Sequence, residues 1–363
     1  MVGFFALLPS EVVSLILDNV TSRKDLYHCT LVNKWFYANT VARLWRAPLL
    51  KGISGPRQMF EGFLSAQQHR YLMLGDHMRA LYMDYHPMAD VTIESLVVYT
   101  PFLERLELFS SFGLVIPAPL GLVWRSCPRL VEVCLDDVLL DNLTSLARNC
   151  PHIRRLEFRR FSGVNDNIFQ PLLTLNNLTI LVFVDFKWIN SGLISSIICQ
   201  LHQLEHLEIV NNRLTSRAFF DKLLPTPTHP KTLSNLKKLR LGGDVNNFYA
   251  KEVILFLATH PLLEIIHVHL VGIDNLFFSS VAGHPNLSTM RLLSGPGYGL
   301  ESEYVRSMVI ACPRLTTLWL PRDCGLPARC FPEANHLYVN GFFCLDSLTI
   351  ASIRQNPDLH FID

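Results

Sequence analysis

The chain has 363 residues, of which 49% are hydrophobic and 17% are charged, and its formal net charge at pH 7 is +1. This hydrophobic content excludes an intrinsically disordered chain, and the balanced charge lacks the basic excess typical of nucleic-acid-binding proteins. The apolar N-terminal run Phe4–Leu8 ends at Pro9 and is too short to cross a bilayer or to act as a secretory signal. We therefore expect neither a nucleic acid nor a membrane as a partner.

The first 48 residues predict a module of three short helices. Pro9 lies in the first turn of the first helix, where the missing amide hydrogen has little effect. The apolar stripe of this helix comprises Val12, Leu15, Ile16 and Val20. Ser22 and Asp25 form a capping box for the second helix, and the third helix begins near Trp35 and closes at Pro48. A domain this small buries only roughly 60% of its surface, so we expect it to need a partner or a neighbouring domain.

Residues 49–76 are predicted to be a helical linker that caps the first repeat. Gly52, Gly55 and Pro56 break the chain. The residues spaced for one amphipathic helix are Met59, Phe60, Phe63 and Leu64. Because the end of a repeat array exposes an apolar edge, a cap is required there.

A short phrase recurs along residues 77–325 and is clearest at Cys312-Pro313-Arg314-Leu315-Thr316-Thr317-Leu318-Trp319-Leu320. Its first leucine, or the equivalent residue, gives ten anchors: Met78, Leu103, Leu130, Ile153, Leu178, Leu204, Leu236, Leu263, Leu287 and Leu315. Successive anchors are 23 residues apart (153 minus 130) to 32 residues apart (236 minus 204). This period and the Leu-x-x-Leu-x-Leu pattern are typical of leucine-rich repeats. The alternating leucines predict a strand, and the proline ends a preceding helix.

The predicted fold is therefore α/β. A repeat unit cannot bury its own apolar face, so we expect the units to stack into a solenoid, with a curved parallel sheet on the concave face and helices on the convex face. The predicted domains are a helical module at 1–48, the linker and cap at 49–76, about ten repeats at 77–325, and an imperfect last repeat and cap at 326–363.

The nine cysteines include no Cys-x-x-Cys pair. Cys127, Cys150 and Cys312 each precede the proline of the repeated phrase, where a small side chain packs at a helix end. This placement predicts reduced core thiols rather than disulfides or zinc ligands. We expect a cytoplasmic or nuclear protein.

Strand positions beside the second leucine of each phrase are expected to face the concave side. The acidic residues predicted there are Glu107, Glu132, Glu157 and Glu208, tempered by Arg105 and Arg155. The later strands carry Lys238, Arg240, His267, Arg291 and Trp319. We hypothesise that these five residues bind an acidic or phosphorylated segment of a protein target, with an apolar anchor near Trp319. The alternative is a solvated strand face whose charges pair with their neighbours.

Three patterns resemble parts of enzyme sites. His267 and His269 lie on one side of a strand, but no third metal ligand follows at a recognisable spacing. The segment Gly295–Gly299 lacks the Gly-Lys-Ser/Thr that holds phosphate and metal, and Cys324 and Cys330 have no neighbouring histidine base. We expect no catalytic residue, no metal site and no cofactor.

The N-terminal module resembles the F-box over residues 7–48. The matching motifs are Leu8-Pro9-x-Glu11-Val12-Val13-x-x-Ile16-Leu17, Asp25-Leu26-x-x-Cys29-x-Leu31-Val32-Asn33-Lys34-Trp35 and Leu44-Trp45. With the repeats that follow, the chain is similar to F-box proteins with leucine-rich repeats, of the divergent type common in fungi.

The resemblance implies a substrate-recognition subunit of an SCF-type ubiquitin ligase, which is not itself an enzyme. The F-box would dock on a Skp-type adaptor and through it on a cullin-RING ligase, while the repeats hold the target protein. The implied adaptor-binding residues are Leu8, Pro9, Ile16, Leu17, Leu31, Val32 and Trp35. One alternative is an adaptor-bound scaffold that acts outside ubiquitination, and another is an enzyme on a repeat scaffold. A third is that these apolar residues are only the core of an unrelated helical bundle.

Overall fold

The computed structural model describes residues 9–50, 62–65, 73–85, 90–110, 120–136, 143–160, 166–185, 191–210, 216–224, 232–242, 248–270, 272–292, 302–320 and 338–340. The chain divides into two compact units, Met1–Ile153 and Arg154–Asp363. This division falls within the repeats, so the predicted domain boundaries at residues 48, 76 and 325 stay predictions.

The first unit opens with three helices, α1 (Ser10–Asp18), α2 (Arg23–Val32) and α3 (Lys34–Arg46), as predicted. The predicted cap of α2 is present, since Ser22 Oγ accepts a hydrogen bond from the backbone N–H of Asp25 at 3.3 Å. Asn33 caps α3 by accepting from the backbone N–H groups of Trp35 and Phe36. Both caps satisfy amide groups that a helix leaves unpaired at its start.

The buried side of α1 differs from the predicted stripe. Val13 and Leu17 are buried, whereas Val12, Leu15 and Ile16 are exposed. Both sets of residues have helical spacing, so periodicity alone does not decide which of them faces the core. Helix α3 packs against both other helices.

Two arginines connect the three helices. Arg43 of α3 binds Asp18 (Nε to Oδ1, 2.7 Å) and Ser14 (Nη2 to Oγ, 2.5 Å) on α1. Arg23 of α2 donates to the carbonyl oxygens of Ala47 and Leu44 at 2.6 and 2.8 Å. These carbonyls lie at the end of α3, where a helix has no internal donors for them.

The repeats of the first unit follow in the predicted order. Their strands are β1 (Leu49–Leu50), β2 (Ala80–Tyr85), β3 (Arg105–Ser110) and β4 (Glu132–Asp136), all parallel. The helices are α4 (Asp90–Val97), α5 (Leu120–Ser126) and α6 (Leu143–Asn149), and Leu74–His77 forms a 3-10 turn.

Strand β1 was not predicted. It pairs with β2 through Leu49 opposite Tyr82 and Leu50 opposite Met83, so a strand covers the first edge of this sheet. Of the predicted capping helix, residues 62–65 are helical and the rest lies outside the described residues. Phe63 is buried, with its ring 5.6 Å from that of Trp45.

The second unit continues the same alternation. Its parallel strands are β5 (Arg155–Arg159), β6 (Ile180–Val184), β7 (His206–Val210), β8 (Lys238–Gly242), β9 (Ile265–Val268), β10 (Thr289–Leu292), β11 (Thr317–Trp319) and β12 (Tyr338–Asn340). Its helices are α7 (Ser191–Ile198), α8 (Ser216–Leu223), α9 (Ala250–Thr259), α10 (Asn275–Val281) and α11 (Ser302–Ala311). The segment Asp166–Thr174 is a 3-10 helix that contains Pro171.

The repeated phrase sets the strand register in both compact units. Each of the ten predicted anchors is at most 7% exposed, and the strand of the same repeat begins two residues after the anchor. In the second unit the aligned leucine position runs through Leu156, Leu181, Leu207, Leu239, Ile266, Met290, Leu318 and Val339. The leucine-rich-repeat fold is therefore confirmed. Of the predicted last repeat, only β12 lies within the described residues.

In the phrases that have a proline, the residue before it is buried, and in all but the phrase of Thr100 its side chain contacts a carbonyl of the preceding repeat. Cys150 Sγ lies 3.5 Å from the carbonyl oxygen of Trp124, and His260 Nε2 lies 3.0 Å from that of Thr232. Equivalent contacts join Cys127 to Thr100, His284 to Leu257 and Cys312 to Val281. Each of these five side chains thus bonds to the backbone of the preceding repeat. The six cysteines among the described residues are free thiols.

None of the helices within the described ranges has both the length and the apolar content needed to span a membrane.

Candidate functional site

Exposed apolar side chains are concentrated on α1 and α2. The set comprises Val12, Leu15, Ile16, Tyr27, Leu31 and Val32, which are between 39% and 65% exposed; we call it the N-terminal apolar set. Single exposed apolar side chains are normal on a protein surface, but six on two short helices exceed that pattern. The set therefore marks a candidate interaction surface.

The predicted adaptor-binding residues divide between surface and core. Ile16, Leu31 and Val32 belong to the N-terminal apolar set. Pro9 is exposed, Trp35 is half-buried, and Leu8 lies outside the described residues. Leu17 is 2% exposed, so its side chain belongs to the core and not to the surface. The reason is its position four residues after Val13, on the side of α1 that is buried.

The five predicted target-binding residues lie on one face of neighbouring strands in the second unit. Strand pairing aligns Arg240 with His267, His267 with Arg291, and Arg291 with Trp319. Lys238 precedes Arg240 by two residues on β8, so both side chains leave the sheet on the same side. We call these five residues the basic row. Adjacent strands are about 4.8 Å apart, so the row forms one continuous surface.

Two contacts order the cations of this row. Arg240 donates from Nη1 to Glu208 Oε1 on β7 at 2.7 Å. The guanidinium carbon of Arg291 lies 4.2 Å from the centre of the Trp319 ring, within the range of a cation–π interaction. The Nε of Arg291 is buried without a hydrogen-bond partner among the described residues, and Lys238 has no ion-pair partner there.

The pKa of His267 reflects its burial and the charges around it. Burial lowers the pKa of His267 to about 4, and the charges of Arg240, Lys238 and Arg291 lower it too, against the opposing charge of Glu208. The imidazole is therefore neutral at pH 7. Burial also disfavours the charged form of Glu208, but His206, Arg240 and Lys238 outweigh it and the pKa of Glu208 is lowered. The row thus combines three cations with two uncharged rings, those of His267 and Trp319.

The acidic residues predicted on the earlier strands are paired with arginines. In the second unit Glu157 is buried, and it accepts from Arg155 Nη2 at 2.6 Å and from Arg159 Nε at 2.5 Å. In the first unit Arg105 binds Glu107 at 2.5 Å and Glu132 at 3.3 Å. On these strands the charged residues pair with one another, as expected for a solvated strand face that binds no ligand.

A cleft of 470 Å³ in the first unit was missed by the sequence reasoning. Five arginines line it: Arg23, Arg43, Arg46, Arg79 and Arg105. They lie on α2, on α3 and at or just before the starts of β2 and β3, and these segments share no sequence pattern. The sequence therefore does not indicate that the five arginines come together. Arg43 is bound to Asp18 and Arg79 lies 3.6 Å from Glu104, so these two charges are already paired.

Of the three enzyme-like patterns, the pair His267 and His269 lies within the described residues. No three His, Cys, Asp or Glu side chains in the described part of the chain come together as metal ligands would. The segment Gly295–Gly299, Cys324 and Cys330 lie outside that part.

Comparison with known proteins shows the fold. No protein-family model matches this sequence, and no curated protein matches it. A chain of the yeast Rad7–Elc1 complex is similar over 97% of this chain and 92% of its own length, with a TM-score of 0.56 and 14% identity. Internalin C2 of Listeria monocytogenes aligns with 61% of this chain and 83% of its own length, with a TM-score of 0.39 and 19% identity. TLR13 from a TLR13–ssRNA13 complex aligns with 73% of this chain and 40% of its own length, with a TM-score of 0.44 and 13% identity.

Proposed function

We propose that this chain is the substrate-recognition subunit of an SCF-type ubiquitin ligase. In this proposal the helices α1 to α3 are an F-box that docks on a Skp-type adaptor, and the repeats bind the target protein. The observation that carries the proposal is the exposure of Ile16, Leu31 and Val32 at positions where the sequence resembles the adaptor-binding residues of the F-box.

The energetics of the module support a docking role. Its own buried apolar residues are Val13, Leu17, Leu26 and Val41. Fully burying an exposed aliphatic side chain of the size of leucine contributes roughly 1.5–3 kcal/mol, and Ile16, Leu31 and Val32, which are 49–64% exposed, would contribute part of this when a partner covers them. Ile16 lies on α1 and the other two residues lie on α2, so both helices would contribute to docking.

The similarity to the Rad7–Elc1 structure also supports the proposal. Rad7 was crystallised as a complex with Elc1, and the similar chain matches this one over almost its whole length. A repeat protein of this architecture that binds a second protein is what the proposed role requires.

The proposed contribution to ubiquitin transfer is positional. A receptor holds its target beside a separate transferring enzyme and raises the effective concentration of the two without a catalytic group of its own. The chain is therefore proposed to be a receptor and not an enzyme.

Replacing Leu31 by Glu tests the docking surface. Leu31 is 64% exposed, so we expect the fold to persist while co-purification with a Skp-type adaptor is lost, since a buried carboxylate has no partner in an apolar groove. Leu276→Glu is the matched control, because Leu276 is 66% exposed but lies on α10. Thermal unfolding of both variants checks the fold. Retention of the adaptor by a folded Leu31→Glu variant would rule out this surface.

A reconstituted ligase distinguishes the receptor from an adaptor-bound scaffold. A protein captured by the repeats is mixed with adaptor, cullin, RING protein and ubiquitin-loading enzymes. The receptor role predicts ubiquitination that requires this chain and fails with Leu31→Glu. Capture without any transfer favours the scaffold.

A further inference from the structure

The exposed strand positions from β8 to β11 carry an excess of positive charge. Alternating burial along these strands shows that every second residue is accessible. The accessible residues are Lys238, Arg240, Ile265, His267, Thr289, Arg291, Thr317 and Trp319. They include three cations and no carboxylate, and Glu208 on β7 offsets one charge. The net charge of these positions is therefore +2, and no further carboxylate lies at the described positions of this face on β8 to β11.

Two cationic groups in the row have unmet interactions. Lys238 has no ion pair with any described residue, and the buried Nε–H of Arg291 has no acceptor there. That atom is itself inaccessible, but Arg291 as a whole is only half-buried, so a ligand anion would approach the accessible part of its side chain. Arginine binds carboxylate and phosphate through paired N–H groups, so either anion fits.

The aromatic end of the row adds an apolar requirement. Trp319 is half-exposed and lies directly beside Arg291. From β8 to β11 there are three strand intervals, or about 14 Å, and an extended peptide covers this distance in about four residues at roughly 3.3 Å each. The near-neutral chain as a whole offers no broad basic field for a polyanion.

We propose that the basic row binds a peptide segment in which acidic or phosphorylated residues precede an aromatic residue by about four positions. The anions contact Lys238, Arg240 and Arg291, and the aromatic side chain packs beside Trp319. The proposal rests on the proposed function, because it identifies this segment as the part of the target that the receptor recognises.

Fluorescence anisotropy with labelled peptides tests the proposal on the full-length chain. The first probe contains Asp-Asp-Asp-Gly-Phe, the second has phosphoserine for the middle Asp, and the third has Asn for every Asp. We expect both anionic probes to bind, and the neutral probe to bind roughly ten- to hundredfold more weakly. Comparison of the first two probes shows whether carboxylate or phosphate is the preferred anion.

Charge reversal tests the site. Lys238→Glu with Arg240→Glu is expected to weaken the anionic probes at least about tenfold. The matched control is Arg217→Glu with Lys251→Glu, which changes the net charge equally on helices α8 and α9 and is expected to leave binding unchanged. Trp319→Ala is expected to weaken the first probe but not its version with Ser in place of Phe, a contrast that a general loss of folding would not produce.

Adaptor capture by the same proteins separates the two proposals. Failure of the wild-type chain to capture an adaptor, while it still binds the anionic probes, would overturn the ligase role and leave the peptide site in place. Failure of both anionic probes to bind, equal binding of the neutral probe, or undiminished binding by the Lys238→Glu, Arg240→Glu variant would overturn the peptide site. Binding of an oligonucleotide in place of the anionic peptides would overturn it as well.

Discussion

The residue that precedes each phrase proline shows how different side chains perform one structural task. Cys150 and His260 each contact a backbone carbonyl oxygen of the preceding repeat. Burial raises the pKa of Cys150 to about 12, and burial lowers the pKa of His260, so both side chains stay neutral at pH 7. A neutral donor at this position binds a carbonyl without placing a charge in the core.

His267 makes stability depend on pH. Its pKa is about 4 in the folded chain and about 6.5 in an unfolded one, so the unfolded state binds more protons between these values. The stabilisation is complete above pH 6.5 and is lost as the pH falls towards 4. Allowing for partial exposure, we expect a loss on the order of 1–2 kcal/mol.

Denaturation at pH 7 and pH 4.5 checks this. His267→Asn should lose less stability than the wild type between the two pH values, because asparagine does not titrate. His202→Asn, at an exposed position, is the control and should follow the wild type. An unchanged pH dependence for His267→Asn would refute the assignment.

At the scale of elements, the repeats were predictable because each anchor is a local signal that recurs. Every strand from β2 to β11 begins two residues after its anchor. Strand β1 was not predictable, since two leucines carry no strand pattern and only β2 gives them a partner. The 3-10 form of the helix at Pro171 was not predictable, since the spacing of apolar residues alone does not distinguish it from an α-helix.

The basic row was predictable for the same reason, because register follows from the phrase. Its pairing with Glu208, the stacking of Arg291 on Trp319 and the neutral state of His267 depend on three-dimensional distances. The core role of Leu17 was missed because α1 is apolar on more than one side.

Helix α1 offers a direct test of its buried side. Leu17→Ala removes a 2%-exposed side chain and should cost about 2–5 kcal/mol of unfolding free energy in the first unit. Ile16→Ala, at a 49%-exposed position, should cost within about 0.5 kcal/mol. Chemical denaturation of both variants measures the difference. Equal losses would mean that α1 is rotated relative to the structure.

At the scale of the whole molecule, the two candidate surfaces lie in different compact units. The N-terminal apolar set is in the first unit and the basic row is in the second. One surface is apolar and the other is cationic, so they suit partners of different chemistry. The proposed receptor role requires two distinct surfaces, because adaptor and target would have to be bound at the same time.

We therefore expect the two binding activities to be independent. Leu31→Glu should leave the peptide affinity unchanged, and Lys238→Glu with Arg240→Glu should leave adaptor capture unchanged. In the combined variant both losses should add without coupling, because the two surfaces have no residue in common. Anisotropy and co-purification on all three variants measure this, and coupling beyond about 0.5 kcal/mol would contradict it.

The pairing of β1 with β2 has a practical consequence for truncation. A fragment that begins after Leu50 would lose the strand that covers β2, together with the Trp45 ring beside Phe63. The bared backbone amides and carbonyls would be free to recruit a strand from another copy, which favours aggregation. Low solubility of such a fragment would then be a result of its open edge and would carry no information about its binding partners.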